Sequence, residues 1–170
     1  MKTSIIPSPV SFFILALALI SCSTNEKNEI VIGPGAGIHH DDFEYSVENF
    51  AVLKSIDGTA AAGNFYIVTF KVVNHAIRVN HEWDNSVAYI IDEDENVYEN
   101  NVELQKKLEA KEPFGFEESY VTPFQSQATT RMVFELPASV RKPYLKVRGE
   151  TLMGDFLDGN QFERTHVKLF

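Results

Sequence analysis

The chain has 170 residues, enough for one domain, and its 44% hydrophobic and 12% aromatic content is globular. Thirteen Phe and six Tyr against one Trp favour a core of aromatic strands over a helical bundle. A formal charge of −9 excludes a general nucleic-acid-binding surface, and a single Cys excludes an intrachain disulfide and any Cys-based zinc site.

Residues 1–21 read as a secretory signal. Lys2 supplies the positive start and Val10 to Ile20 is an apolar run. That run would span only about 16 Å as a helix, too short for a bilayer core of ~30 Å, and a short apolar N-terminal stretch marks a signal peptide. The only cysteine follows at once in Leu19-Ile20-Ser21-Cys22. This resembles the bacterial lipobox, in which an aliphatic residue, a tolerant position and a small residue precede the Cys. The resemblance implies cleavage before Cys22, covalent lipid (palmitate-type acyl chains) on it, and a partner in membrane lipid. Two or three acyl chains at ~0.8 kcal/mol per buried CH₂ give lasting attachment. Residues 22–40 read as a flexible tether, polar and then rich in Gly and Pro (Gly33-Pro34-Gly35-Ala36-Gly37). No Lys-Ser/Thr follows, so this is not a phosphate loop.

The remainder, 41–170, reads as one domain of short strands. Phe43, Tyr45 and Val47 alternate with polar residues, and the phase shift at Phe50 and Val52 predicts a bulge near Asn49. Ile56-Asp57-Gly58-Thr59 and Ala62-Gly63-Asn64 carry turn chemistry. Residues 65–74 read as a central strand with Tyr66, Val68, Phe70 and Val72 on one face and Phe65, Ile67 and Val73 on the other. Residues 86–92 form a further strand, 92–96 an acidic turn, and Val97-Tyr98 the return. A weak helical pattern (Val102, Leu104, Leu108) without clear caps predicts a short helix near 102–111. Residues 129–136 alternate until Pro137, residues 144–149 alternate again, Asp158-Gly159-Asn160 has hairpin-turn chemistry, and the last residues alternate around Val167. Seven to eight strands without a βαβ rhythm predict an all-β fold, an antiparallel β-sandwich.

Several of these pieces have a familiar order: Asp41-Asp42-Phe43-Glu44-Tyr45-Ser46-Val47, Gly63 to Asn74, Ile91 to Tyr98, and Met132-Val133-Phe134-Glu135-Leu136-Pro137. The chain thereby resembles a bacterial lipoprotein domain family of unknown function that shares an immunoglobulin-like sandwich with the mycobacterial immunoprotective extracellular antigen. The resemblance spans roughly residues 41–147. It implies an immunoglobulin-like fold and an extracytoplasmic binding or accessory module, and it carries no catalytic residues to transfer.

Two candidate sites stand out. Asp92, Asp94, Asn96 and Glu103 fall at positions 1, 3, 5 and 12 of an EF-hand-like loop, a spacing that could hold calcium. Val97 stands where such a loop needs Gly, which favours a solvated turn. Phe114, Phe116, Tyr120 and Phe124 crowd one loop region, either as interaction anchors or as rings plugging the open end of the sandwich. Trp83 reads as a core-capping ring. His39 and His40 point to opposite faces of an extended chain; they, with His75, His81 and His166, do not declare a metal site. No Gly-x-Ser-x-Gly, His-Glu-x-x-His or P-loop is present, and acylation leaves no free thiol. The expectation is a non-catalytic module anchored to the cell membrane (the outer membrane in a diderm organism), with no cofactor besides its lipid. It would bind an envelope protein or small ligand; the alternative is a calcium-binding envelope protein.

Overall fold

The computed structural model describes residues 29–170, so the signal segment and Cys22 lie outside the described residues. The strands are β1 (Ile30–Ile32), β2 (Gly37–His40), β3 (Phe43–Ile56), β4 (Thr59–Asn74), β5 (His81–Asp84), β6 (Ala88–Ile91), β7 (Val97–Glu99), β8 (Ser119–Thr122), β9 (Ser126–Leu136), β10 (Tyr144–Val147) and β11 (Thr165–Lys168). The helices are α1 (Val102–Lys111), α2 (Met153–Leu157) and α3 (Gln161–Arg164).

Sheet order is β2-β3-β4-β9 in one layer and β1-β11-β10-β6-β7 in the other, with β5-β8 as a separate two-stranded ribbon. The predicted sandwich is therefore the architecture observed. The long β3–β4 hairpin closes through Asp57 and Gly58, both at positive φ (46° and 74°), and Ile56 pairs with Thr59 across that two-residue loop. Two left-handed residues match the right-handed twist of the flanking strands. The predicted bulge is present as a register shift between Val47 and Asn49.

The two faces of the central strands serve two cores. Tyr66, Val68, Phe70 and Val72 of β4 join Met132, Phe134 and Leu136 of β9 between the layers, against Ile90, Leu145 and Val167. Phe65, Ile67 and Val133 point the other way, where Leu104 and Leu108 of α1 cover them. Helix α1 has the expected limits. It also has the N-cap that the sequence reading missed: Asn101 Oδ1 accepts from Leu104 N at 3.1 Å.

Five features differ from the sequence reading. The expected tether, 22–40, contributes β1 and β2 from residue 30 onward, because Ile32 and Ile38 have core partners to pack against. Strand β1 runs parallel to β11, so the sandwich is not purely antiparallel. Ala62-Gly63-Asn64 is no turn but part of β4; a Cβ at Gly63 would overlap the Leu136 carbonyl oxygen, so this glycine marks a close backbone approach. Asp158-Gly159-Asn160 links two short helices instead of two strands. Strands β5 and β8, too short to announce themselves, bring the count to eleven among the described residues.

The ends of the sandwich differ. At one end lie the β2–β3 turn, the 75–80 loop, the β8–β9 turn and the 148–164 segment. Their neighbours in register are His40 with Phe43, Phe43 with Asn74, Asn74 with Ser126, and His81 with Thr122. Fully buried Asn74 fastens these loops, donating to Val79 O (2.8 Å) and Thr122 O (3.0 Å) and accepting from Ala76 N (2.9 Å). Strand β1 starts at this end too. Ile30 pairs with Thr165, just after α3, and Phe162 of α3 stacks on His40. The chain therefore enters the domain where these loops gather.

Candidate functional site

At the entry end a cleft of about 620 Å³ opens between the two layers. Aromatic and apolar walls come from Phe43, Tyr45, Trp83, Val87 and Leu152; the exposed acidic residues Glu82, Asp84 and Glu150 border it, and Arg148, His40 and His81 also line it.

Alternation along the strands places the inner groups. Tyr45 of β3 points into the core and is buried. Its hydroxyl lies 2.8 Å from His81 Nε2 and 3.5 Å from His40 Nδ1. His40 ends β2, and its Nε2 donates to the Glu150 carbonyl at 2.8 Å and lies 3.3 Å from Asp155 Oδ2. Asp155 of α2 is almost fully buried and accepts from Leu152 N (2.7 Å) and Asp41 N (3.2 Å). One carboxylate thus closes the first turn of α2 and fastens it to the β2–β3 turn. Each imidazole has an aromatic partner: His40 lies on Phe162 and His81 on Phe43, both with centroids 3.9 Å apart. A Cβ at Gly149 would strike the His40 ring, so glycine is required for this approach.

The electrostatics follow from burial. Desolvation first, and then the neighbouring His40, lower the His81 pKa to about 4. Desolvation, reinforced by the Asp155 charge, pushes the Tyr45 phenol well up, so it keeps its proton. The cleft therefore presents a neutral imidazole whose Nδ1 makes no hydrogen bond among the described residues. Such a group can donate or accept one hydrogen bond to a ligand. Among the described residues no Ser or Thr hydroxyl is hydrogen-bonded to a histidine; the hydroxyl held against an imidazole here is the Tyr45 phenol.

The sites expected from the sequence are placed as follows. Cys22 lies outside the described residues. Asp92 is buried, and its carboxylate accepts from Asp94 N, Asn96 N, Asn96 Nδ2 and the Tyr98 hydroxyl at 2.8–3.2 Å. Desolvation alone would raise its pKa, but these donors outweigh it and hold the carboxyl at about 2. Glu103 is on the first turn of α1, exposed and beside Lys106. Among the described residues no three His, Cys, Asp or Glu side chains gather to hold a metal. Residues 92–96 form a turn capped by the Asp92 carboxylate, and 97–103 continue into β7 and the first turn of α1.

The four aromatics do not form one patch. Tyr120 is a core residue, stacked on Trp83 (4.0 Å, 8° between planes), with its hydroxyl 2.7 Å from Thr130 Oγ1. Phe114 and Phe116 sit in a loop whose amides 114–116 all donate to Glu109 Oε1, with Arg131 over the Phe114 ring at 4.9 Å. Phe124 is exposed in the β8–β9 turn at the entry end. Trp83 is buried as expected, though in strand β5 and not in a loop. The sequence reading named His40 and His81 singly and missed Tyr45 and Asp155 as partners. The one local signal was the His81-x-Trp83 alternation of a half-buried strand.

No family model and no curated protein matches the sequence. Solved structures do match in fold. The yjhA protein from Bacillus subtilis is 10% identical with a TM-score of 0.56, covering 81% of this chain and 98% of that one. The secreted protein MPT63 from Mycobacterium tuberculosis is 14% identical with a TM-score of 0.54, covering 82% and 97%. A conserved hypothetical protein from Bacillus anthracis is 12% identical with a TM-score of 0.54, covering 68% and 88%. These likenesses concern the β-sandwich alone.

Proposed function

We propose that this chain is an extracytoplasmic, lipid-anchored β-sandwich module that binds a small ligand in its entry-end cleft and does not transform it. The lipobox-like Leu19-Ile20-Ser21-Cys22 supports the anchor, and the likeness in fold to a secreted mycobacterial protein accords with an extracytoplasmic place. The observation that carries the binding role is the cleft itself: about 620 Å³, aromatic-walled, with the neutral His81 imidazole between Phe43 and Tyr45.

The lining also selects a ligand class. Glu82, Asp84 and Glu150 are acidic, and the one guanidinium, Arg148, is held by Glu99 through two hydrogen bonds (2.9 and 2.6 Å). A flat apolar body fits the aromatic walls, and a cationic or neutral head fits the acidic lining better than an anionic one. Tryptamine and indole-3-acetate are paired probes of this reading, having the same ring and opposite charge. In a titration of the full chain followed by NMR, tryptamine should shift the His81 ring signals and the Trp83 indole signal at lower concentration than indole-3-acetate. Absence of any shift with either probe contradicts the binding role; preference for the acetate contradicts the ligand class.

A further inference from the structure

The most exposed large apolar side chains of the described residues gather around the point where the chain enters. Helix α2 displays Met153 (79% exposed), Phe156 (67%) and Leu157 (89%), with buried Asp155 fixing it from beneath. The 75–80 loop adds Ile77 (76%) and Val79, and the β8–β9 turn adds Phe124. These segments are tied together by His75 N to Asp42 O (2.8 Å), Gln125 Nε2 to His75 O (3.3 Å) and Asp41 N to Asp155 Oδ1 (3.2 Å). An apolar cluster on hydrogen-bonded loops marks a contact surface.

The length of the entering chain says what covers it. Glu29 lines a small cleft with Gly159 and Asn160, directly after α2, so the chain leaves the domain beside this helix. Cys22 is only seven residues before Glu29. Fully extended, seven residues reach about 25 Å at most. With lipid on Cys22, this end cannot stand further from the bilayer than that, and the short link keeps it at high local concentration there. The nearby exposed charges are mainly acidic, with Glu29, Asp41, Asp42, Glu150 and Asp158 against Arg78. They do not form the polybasic patch that would select anionic lipid.

We infer that α2 and the 75–80 loop dock into the interfacial layer of the membrane that carries the anchor, with Met153, Phe156, Leu157 and Ile77 inserted among the lipid headgroups and upper chains. This inference rests on acylation of Cys22. Docking holds the ligand cleft, whose wall includes Leu152 just before α2, close to the membrane surface.

The test uses the full-length protein purified with its native lipid and reconstituted into dioleoylphosphatidylcholine vesicles. With Cys22 acylated, a cysteine introduced as Phe156→Cys is the sole free thiol and takes a nitrobenzoxadiazole label; Ile77→Cys provides a second position. Leu53→Cys, toward the opposite end of β3, serves as control. On vesicle addition the labels at 156 and 77 should brighten several-fold and be quenched by doxyl-lipid, unlike the label at 53, and 20% phosphatidylglycerol should not strengthen the signal. If the protein floats with vesicles but the labels at 156 and 77 stay in water, docking is overturned and the anchor stands. Shielding from iodide without doxyl quenching means that a protein covers the face, and overturns membrane docking. If the protein does not float, the anchor reading falls and docking with it.

Discussion

The Tyr45 hydroxyl lies 2.8 Å from His81 Nε2 at the mouth of the cleft, one of the hydrogen bonds that join the β2-β3-β4-β9 sheet to the β5–β8 ribbon, beside Asn74 Nδ2 to Thr122 O and the Tyr120–Thr130 hydroxyl pair. The Tyr45 ring packs near Phe70 (6.1 Å between centroids), so Tyr45→Phe should keep that packing and remove the hydroxyl's contacts, the 2.8 Å bond to His81 and the longer one to His40. The expected cost is about 1 kcal/mol, the net value of one such bond, read as a lower urea midpoint with an unchanged slope. A midpoint equal to wild type would show that water replaces the hydroxyl fully.

Stability should fall on mild acidification. The folded-state pKa of His81 is lowered to about 4, below its ordinary value of 6.5, so the unfolded chain binds the extra proton between those values. Stability is therefore full above pH 6.5 and declines as pH falls toward 4. Water reaches this half-buried ring, so the slope stays below one proton's worth, ~1.4 kcal/mol per pH unit. His166, lowered chiefly by burial and further by Lys146, adds in the same direction. His81→Gln should flatten the profile in part; an unaltered profile would assign the whole slope elsewhere.

At more acid pH the Asp92 turn should fail. Its carboxyl is held at about 2, below the ordinary 3.8, so its contribution is present above 3.8 and lost as pH falls toward 2. Asp92→Ala leaves the donors of Asp94, Asn96 and Tyr98 without their acceptor and should cost about 1–3 kcal/mol at pH 7. Calcium should not protect the wild-type turn in a thermal melt, because both Asp92 oxygens already accept hydrogen bonds from Asp94, Asn96 and Tyr98.

Asp155→Ala should act locally. It removes the acceptor for Leu152 N and Asp41 N and the neighbour of His40, all at the base of α2. The expected loss is about 2–4 kcal/mol, with hydrogen-exchange protection dropping across 150–164 before β4 and β9 respond. A uniform loss over the whole domain would show that α2 is not a separate unit.

What the sequence revealed and what it hid divide along the range of the interactions. The alternation in 65–74 and 129–136 reports a local period, and it placed Val68, Phe70, Met132 and Phe134 in the core correctly. Helix α1 was legible from Leu104 and Leu108, though its Asn101 cap was overlooked. Gly63 was misread because a glycine required by the Leu136 carbonyl across the sheet looks, in sequence, like a glycine required by a turn. The His40–Tyr45–His81–Asp155 group could not be read at all. Its members are separated by up to 115 positions and meet only because β2, β5 and α2 end at the same place. Tyr120 shows the opposite error. It neighbours Phe114 and Phe116 in the chain but points into the core, because β8 alternates and pairs it with Trp83.

The proposed anchoring at Cys22 would fix which end of the sandwich meets the membrane, and the proposed roles of the cleft and of α2 rest on it. Mass spectrometry of the N-terminal peptide from the protein made in its own host tests it most directly. The account predicts a chain that begins at Cys22 and bears a thioether-linked diacylglycerol. A chain beginning at Met1, or a Cys22 peptide with an unmodified thiol, would contradict it.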